Sequence, residues 1–305
     1  MSIFTYRRYN EIIRGLDKYP AAQDNEPLKE RVCFMPACMA HYRFGQEVLN
    51  RFEPELKALI HNHRAEYEIG LQGPDIFYYY KPYSPNRYFN HGFDCHAKPA
   101  INMFAPMFEQ THEGAALSYL IGLVCHYALD RSCHPYVYAN TKKVTDHFVI
   151  ESAFDDHIIK TCGLTEERYK YIPSDADFAA MAALWPGIGE RIVKKSVRAQ
   201  RFCTRLIDRR RIVRAFETLV NKRDFLTKMS PRDPESANKR QEKHIEALET
   251  LYQRGLRECP TLVKSAIGAM RANTPYCVGF HLNYEGIDPA ECTATNRTAA
   301  ETPAG

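Results

Sequence analysis

The chain reads as an all-α protein. Apolar residues recur at helical spacing along most of its length, and the alternation that marks strands is nearly absent. Helix-punctuating residues such as Pro20, Pro54 and the Gly73-Pro74 pair fall where periodic segments begin or end. With 305 residues the chain can bury a large core, and 45% hydrophobic with 26% charged residues is the profile of a globular domain.

The elements follow in order. Residues 5–17 form a short amphipathic helix, and a polar linker follows Pro20. Tyr42–Asn50 is helical, and Pro54 opens a helix to about Ile69, since proline is tolerated in a first turn. Gly73-Pro74-Asp75 marks a loop whose Asp can cap a helix, followed by the aromatic run Phe77-Tyr78-Tyr79-Tyr80. Helices are expected over 99–111, over 114–131 (strongly apolar, stopped by Pro135) and over Val144–Lys160. A long basic helix over about 187–225 leads to a polar breaker from Ser230, a helix over 238–257 and a short helix Thr261–Ala272. The organisation is an N-terminal helix and linker (1–34), a core (35–160), a helical remainder or extension (161–285) and a disordered tail (286–305).

A net charge of +4 is small for this length, and permits an anionic ligand without arguing for nucleic acid. The N-terminus shows no signal-peptide pattern, and Ala115–Leu129 is too short to span a bilayer. A cytoplasmic location is therefore expected, with the ten cysteines as reduced thiols; none forms a C-x-x-C pair.

Chemistry concentrates between His41 and Glu151. His126 and Asp130 are separated by i,i+4, so on a helix their side chains share a face one turn apart. His147 and Glu151 repeat that spacing on the next helix, and His134 lies between the two pairs. One such pair is commonly just a hydrogen bond. Both pairs, however, lie in apolar sequence, and burying unpaired charge is costly, so the group needs a common partner. A zinc cluster supplies one, because zinc takes imidazole nitrogen and carboxylate oxygen together.

In this stretch the sequence resembles the bacterial zinc-dependent phospholipases C. The matching pieces are Met35-Pro36 through His41, Gly73-Pro74-Asp75, a histidine after a variable aromatic loop, His126-Tyr-x-x-Asp130, His134-Pro135 and His147-x-x-x-Glu151. The resemblance runs from Met35 to about Asp155 and implies a multi-helix bundle of the kind shared with single-strand nucleases, with a helical C-terminal extension. It further implies that Asp75, His91, His126 and Asp130 hold one zinc, and that His134, His147 and Glu151 hold a second. His41, with Asp130 bridging, would hold a third, and Asp75 is the candidate base for the attacking water. For the loop histidine, His91 competes with His96 in FNHGFDCH; His91 is preferred because a glycine follows it and it lies closer to the family position.

Two departures bear on the third metal. Secreted members use a mature N-terminal tryptophan as a ligand, whereas the only tryptophan here is Trp185 and no signal peptide creates such a terminus. The interval from Asp130 to His134 is also shorter than in those enzymes. A start at Met35 would expose the Pro36 amine as a substitute ligand.

His61, His63, His112, His157, His244 and His281 read as surface or core histidines. The Phe77–Tyr80 run, with Tyr83 and Tyr88, can line a cage for a choline-like cation, although core packing is the simpler account. The basic stretch Arg191–Arg214 can meet phosphates or an anionic membrane surface, with a solvated helix face as the simpler account. The expected function is zinc-dependent phosphodiester hydrolysis, most simply of a phospholipid or a phosphorylated head-group ester. A nuclease acting on single strands and a non-catalytic metal-binding bundle are the alternatives.

Overall fold

The computed structural model describes residues 37–81, 86–110, 112–142, 144–209, 239–274 and 277–288. The expected helix over 5–17, its linker, Met35-Pro36, Tyr83, the 210–225 part of the basic helix and the tail beyond 288 lie outside them. The chain is all-α, with no strand among the described residues. Its α-helices are α1 (Cys38–Leu49), α2 (Pro54–Asn62), α3 (Arg64–Gly70), α4 (Arg87–Ala97), α5 (Ala100–Phe108), α6 (Gly114–Ala139), α7 (Val144–Thr161), α8 (Phe178–Ala182), α9 (Glu190–Ile207) and α10 (Lys239–Arg271). Two 3-10 helices, Gly73–Tyr79 and Arg168–Tyr171, complete the order.

The bundle is organised around α6. Its sequence is apolar on nearly every face, and a helix hydrophobic all round must be buried all round. It packs against α3 and α10 and touches α1 and α7. The crossing with α3 is very close: a Cβ on Gly122 would meet the Tyr67 carbonyl at 2.4 Å, and one on Gly70 would meet the Tyr119 carbonyl at 2.4 Å. That approach delivers the Gly73–Tyr79 turn against the middle of α6.

Several elements differ from expectation. Helix α6 runs through Pro135 to Ala139. Pro135 has no N–H to give the Arg131 carbonyl, and Gly286 packs closely against that carbonyl. The segment expected as one helix from Pro54 divides at His63, whose carbonyl accepts from Ser118 Oγ at 2.8 Å. Helix α4 was not foreseen; Asn86 caps it by accepting from the N–H groups of Tyr88 and Phe89. The two helices expected after residue 238 are one, α10, with Pro260 inside it; Leu256, Cys259 and Val263 are buried along the stretch that carries the proline.

Helix α1 starts without a side-chain cap of its own. Asp155 on α7, fully buried, accepts from the N–H groups of Met39 at 3.2 Å and Ala40 at 2.8 Å. It thereby satisfies amides that the first turn leaves open. The eight described cysteines are free thiols. No described helix is long and apolar enough to cross a membrane.

Candidate metal centre

The i,i+4 pair His126/Asp130 lies on the inner face of α6, with Nε2 and Oδ2 3.0 Å apart. His134, one turn further, joins the same row. Asp130 is the hub: Oδ1 lies 3.1 Å from His41 Nε2 and 3.6 Å from His134 Nε2, and Oδ2 lies 3.7 Å from His96 Nε2. On α7, His147 Nε2 meets Glu151 Oε1 at 2.9 Å, and His134 Nε2 approaches the same oxygen at 3.3 Å. Asp75, in the first 3-10 helix, lies 3.0 Å from His96 Nε2 and 4.0 Å from His126 Nε2. His41 stacks on the His126 ring with centroids 4.1 Å apart.

The structure thus brings together seven of the sequence candidates, namely His41, Asp75, His126, Asp130, His134, His147 and Glu151, all buried. The eighth, His91, is placed elsewhere. Its ring packs edge-on against Phe77 and Trp185, and His96 takes the position beside Asp75. The physical reason is α4: two residues five apart on a helix point about 140° apart, so only one can face Asp75. Recognising Asn86 as a helix cap would have exposed that choice.

These ligand atoms form three groups, each with its atoms within 4.8 Å of one another: Asp75, His96 and His126; His41, His126 and Asp130; His134, His147 and Glu151. Three imidazoles are held by main-chain carbonyls at Nδ1, His126 by Leu71 at 3.0 Å, His96 by Gly92 at 2.8 Å and His134 by Tyr284 at 3.1 Å. A carbonyl only accepts, so each Nδ1 carries the proton and Nε2 is turned inward.

The donor set fits zinc by a direct test. Asp75 Oδ1, His96 Nε2, His126 Nε2, Asp130 Oδ2 and Glu151 Oε2 are buried without a hydrogen bond. Although His96 and Asp75, and His126 and Asp130, approach to 3.0 Å, these atoms do not align as donor and acceptor. Buried polar atoms are almost always satisfied, so the four orphans of Asp75, His96, Asp130 and His126, linked by approaches of 3.0–3.7 Å, are an arrangement a cation would satisfy, and Glu151 Oε2 leaves an open acceptor in the His134/His147/Glu151 group. A cavity of about 30 Å³ borders His41, Asp130, Cys133, His134 and Glu151, enough for a water.

Without metal, protons take up the charge. Burial alone would depress His96, but Asp130 and Asp75 outweigh it and carry its pKa up to about 10. His134 is likewise carried up to about 9 against burial, by Asp130 and Glu151. Glu151, which burial would raise, is held down to about 2 by His147 and His134. His41 is the exception: burial and the neighbouring His126 keep it below its ordinary value despite Asp130.

Sequence reasoning missed two contributors besides His96. Tyr78 reaches His96 Nδ1 through its hydroxyl at 3.0 Å, and Tyr284 lays its ring on His96 at 4.7 Å. Phe77, Tyr78 and Tyr79 are buried, with Phe77 against Trp185, which is core packing rather than an open cage. On α9 the residues Arg191, Lys195, Arg198 and Arg205 are solvent-facing, as a solvated basic face requires.

A helical bundle with histidines and carboxylates converging at its core belongs to the metal-centre class of α proteins. The sequence matches the family model for zinc dependent phospholipase C over residues 40–196, more than half of the 305-residue chain, and the chain belongs to that family. All eight sequence candidates, and His96, fall within the matched residues. No curated protein and no solved structure matched significantly. Membership makes the coarse chemistry that of a zinc-dependent phospholipase, hence cleavage of a phosphodiester.

Proposed function

We propose that this chain is a hydrolase that cleaves the glycerol-side phosphodiester bond of a phospholipid, releasing diacylglycerol and a phosphorylated head group. The observation that carries the reading is the convergence of orphaned buried nitrogen and oxygen atoms around Asp130. In this reading Asp75, His96, His126 and Asp130 hold one zinc, and His134, His147 and Glu151 a second. His41 with Asp130 serves a third, for which two protein side chains are fewer than zinc ordinarily takes. Zinc bound there supplies Lewis acidity toward phosphate oxygens and lowers the pKa of water.

The chain's own groups do the rest. Asp75, whose Oδ1 makes no hydrogen bond, orients the attacking water and accepts its proton. The new bond joins water oxygen to phosphorus, the phosphorus–glycerol oxygen bond breaks, and the departing alkoxide takes a proton. The main-chain carbonyls of Leu71, Gly92 and Tyr284 hold the imidazoles in one tautomer throughout.

The test is an assay of zinc-loaded protein on phosphatidylcholine in mixed micelles and, in parallel, on single-stranded DNA. Diacylglycerol with phosphocholine is the expected product pair, abolished in Asp75→Asn. Cleavage of DNA alone would move the substrate to nucleic acid. Bound zinc with neither activity would make the chain a non-catalytic metal-binding bundle.

A further inference from the structure

Of the three carbonyls that fix imidazole tautomers, those of Leu71 and Gly92 lie inside the family-matched residues 40–196, and that of Tyr284 lies far beyond them. We infer that the segment Gly279–Ile287 is a strap built into the metal centre, with Tyr284 as the positioning residue for His134. The inference rests on the metal-centre reading above and assigns part of that centre to chain outside the family match.

The strap is fastened along one helical face. Tyr127, Arg131 and His134 are spaced i, i+4, i+7 on α6, so they share a stripe that meets the metal-facing row at His134. Tyr127 Oη donates to the Gly279 carbonyl at 3.0 Å and lies 3.2 Å from that of Leu282. Arg131 Nη1 donates to Gly279 at 2.8 Å, and His134 Nδ1 reaches Tyr284 at 3.1 Å. On its other side the strap caps α5, which has no side-chain cap: Ala100 N–H donates to Leu282 at 2.9 Å and Ile101 N–H to Phe280 at 2.7 Å. Tyr284 N–H returns a bond to the His96 carbonyl at 3.3 Å, and its ring lies 5.9 Å from that of His126. A segment that only covered the bundle would not have to touch His96, His126 and His134 together.

Gly286 seats the strap. Its φ is +71°, and a Cβ there would come within 2.5 Å of the Arg131 carbonyl and 2.7 Å of Pro135 Cγ. The carbonyl is available because Pro135 cannot donate to it. Gly286 and Ile287, expected to belong to the tail, are part of the strap: Gly286 packs on α6, and Ile287 closes the segment on itself, its N–H donating to Asn283 Oδ1 at 2.9 Å.

The experiment uses full-length, zinc-loaded protein. Gly286→Val lifts the strap without altering any side chain that faces the centre. Chelator competition is expected to remove one zinc equivalent about 10–100-fold more readily than from the parent, with helix content unchanged. Val278→Ser, immediately before the strap and 68% exposed, is expected to retain zinc like the parent. Parental zinc retention in Gly286→Val would overturn the inference. Should that variant fail to fold, imidazole NMR of the parent decides. An exchange-protected proton on His134 Nδ1 supports the strap, and a neutral ring protonated on Nε2 overturns it. A parent that binds no zinc would sink the functional reading instead; there an exchange-protected His134 Nδ1 proton would still support the strap, and a freely exchanging one would overturn it.

Discussion

Gly73 lies directly on the imidazole of His126: a Cβ at position 73 would come within 2.2 Å of His126 Cδ2 and 2.4 Å of Nε2. Its φ of +59° is one that L side chains rarely adopt. The turn carrying Asp75 and the helix carrying His126 are therefore locked together through the absence of one carbon. Gly73→Ala is expected to destabilise the fold by about 1–3 kcal/mol and to weaken zinc binding by displacing His126. Thermal denaturation and elemental analysis together check this; an alanine variant with parental zinc and stability would show that the turn adjusts freely.

Asp155 makes a second prediction. Burial pushes its carboxyl up to about 8 against the pull of Arg168 and the amides of Ala40 and Met39. Asp155→Ala leaves two buried N–H groups at the start of α1 without an acceptor, at a cost of about 1–3 kcal/mol. Because His41 follows directly, zinc associated with His41 and Asp130 should be lost before zinc held by His134, His147 and Glu151. Asp155→Asn keeps one acceptor and should be milder. Uniform loss from all groups would mean that Asp155 supports only the fold.

The ionisation of the centre predicts opposite pH responses with and without zinc. In metal-free protein His96 and His134 titrate at about 10 and about 9, above the ordinary histidine value, so their ion pairs stabilise fully below about 6.5. That contribution is lost as pH rises through the raised values. Glu151, held to about 2, adds stability above its ordinary value that is lost only in strong acid. Zinc competes with the same protons, so its affinity rises as they leave. The gap in melting temperature between zinc-loaded and chelator-treated protein should widen from pH 6 to pH 9.5; a gap independent of pH would contradict the assignment.

His96 and His91 separate the centre from the core beside it. His96→Ala is expected to lose zinc while retaining helix content. His91→Ala should keep zinc and lose about 1–2 kcal/mol through its ring contacts with Phe77 and Trp185. Matched titrations of the two variants check this, and zinc loss from His91→Ala alone would reverse the choice between them.

What was legible in the sequence was the helical class and the placement of the i,i+4 pairs, because one helix period fixes which side chains share a face. His126/Asp130 and His147/Glu151 needed no tertiary information to be paired. The choice of His96 over His91 did, since it depends on a helix whose start is signalled only by Asn86. Pro135 reads as a stop because local propensity disfavours it, and the helix runs through it, as α10 runs through Pro260 where two helices were expected. Tyr284 was beyond reach: a main-chain carbonyl 150 residues from its imidazole leaves no side-chain signature.

The central claim is that His126 belongs to a zinc centre on α6, and elemental zinc analysis of the purified protein beside His126→Ala tests it most directly. The account predicts two or three zinc ions per chain in the parent and a loss of zinc in the variant with helical circular dichroism unchanged. One zinc or none in the parent, or full zinc content in His126→Ala, would contradict it.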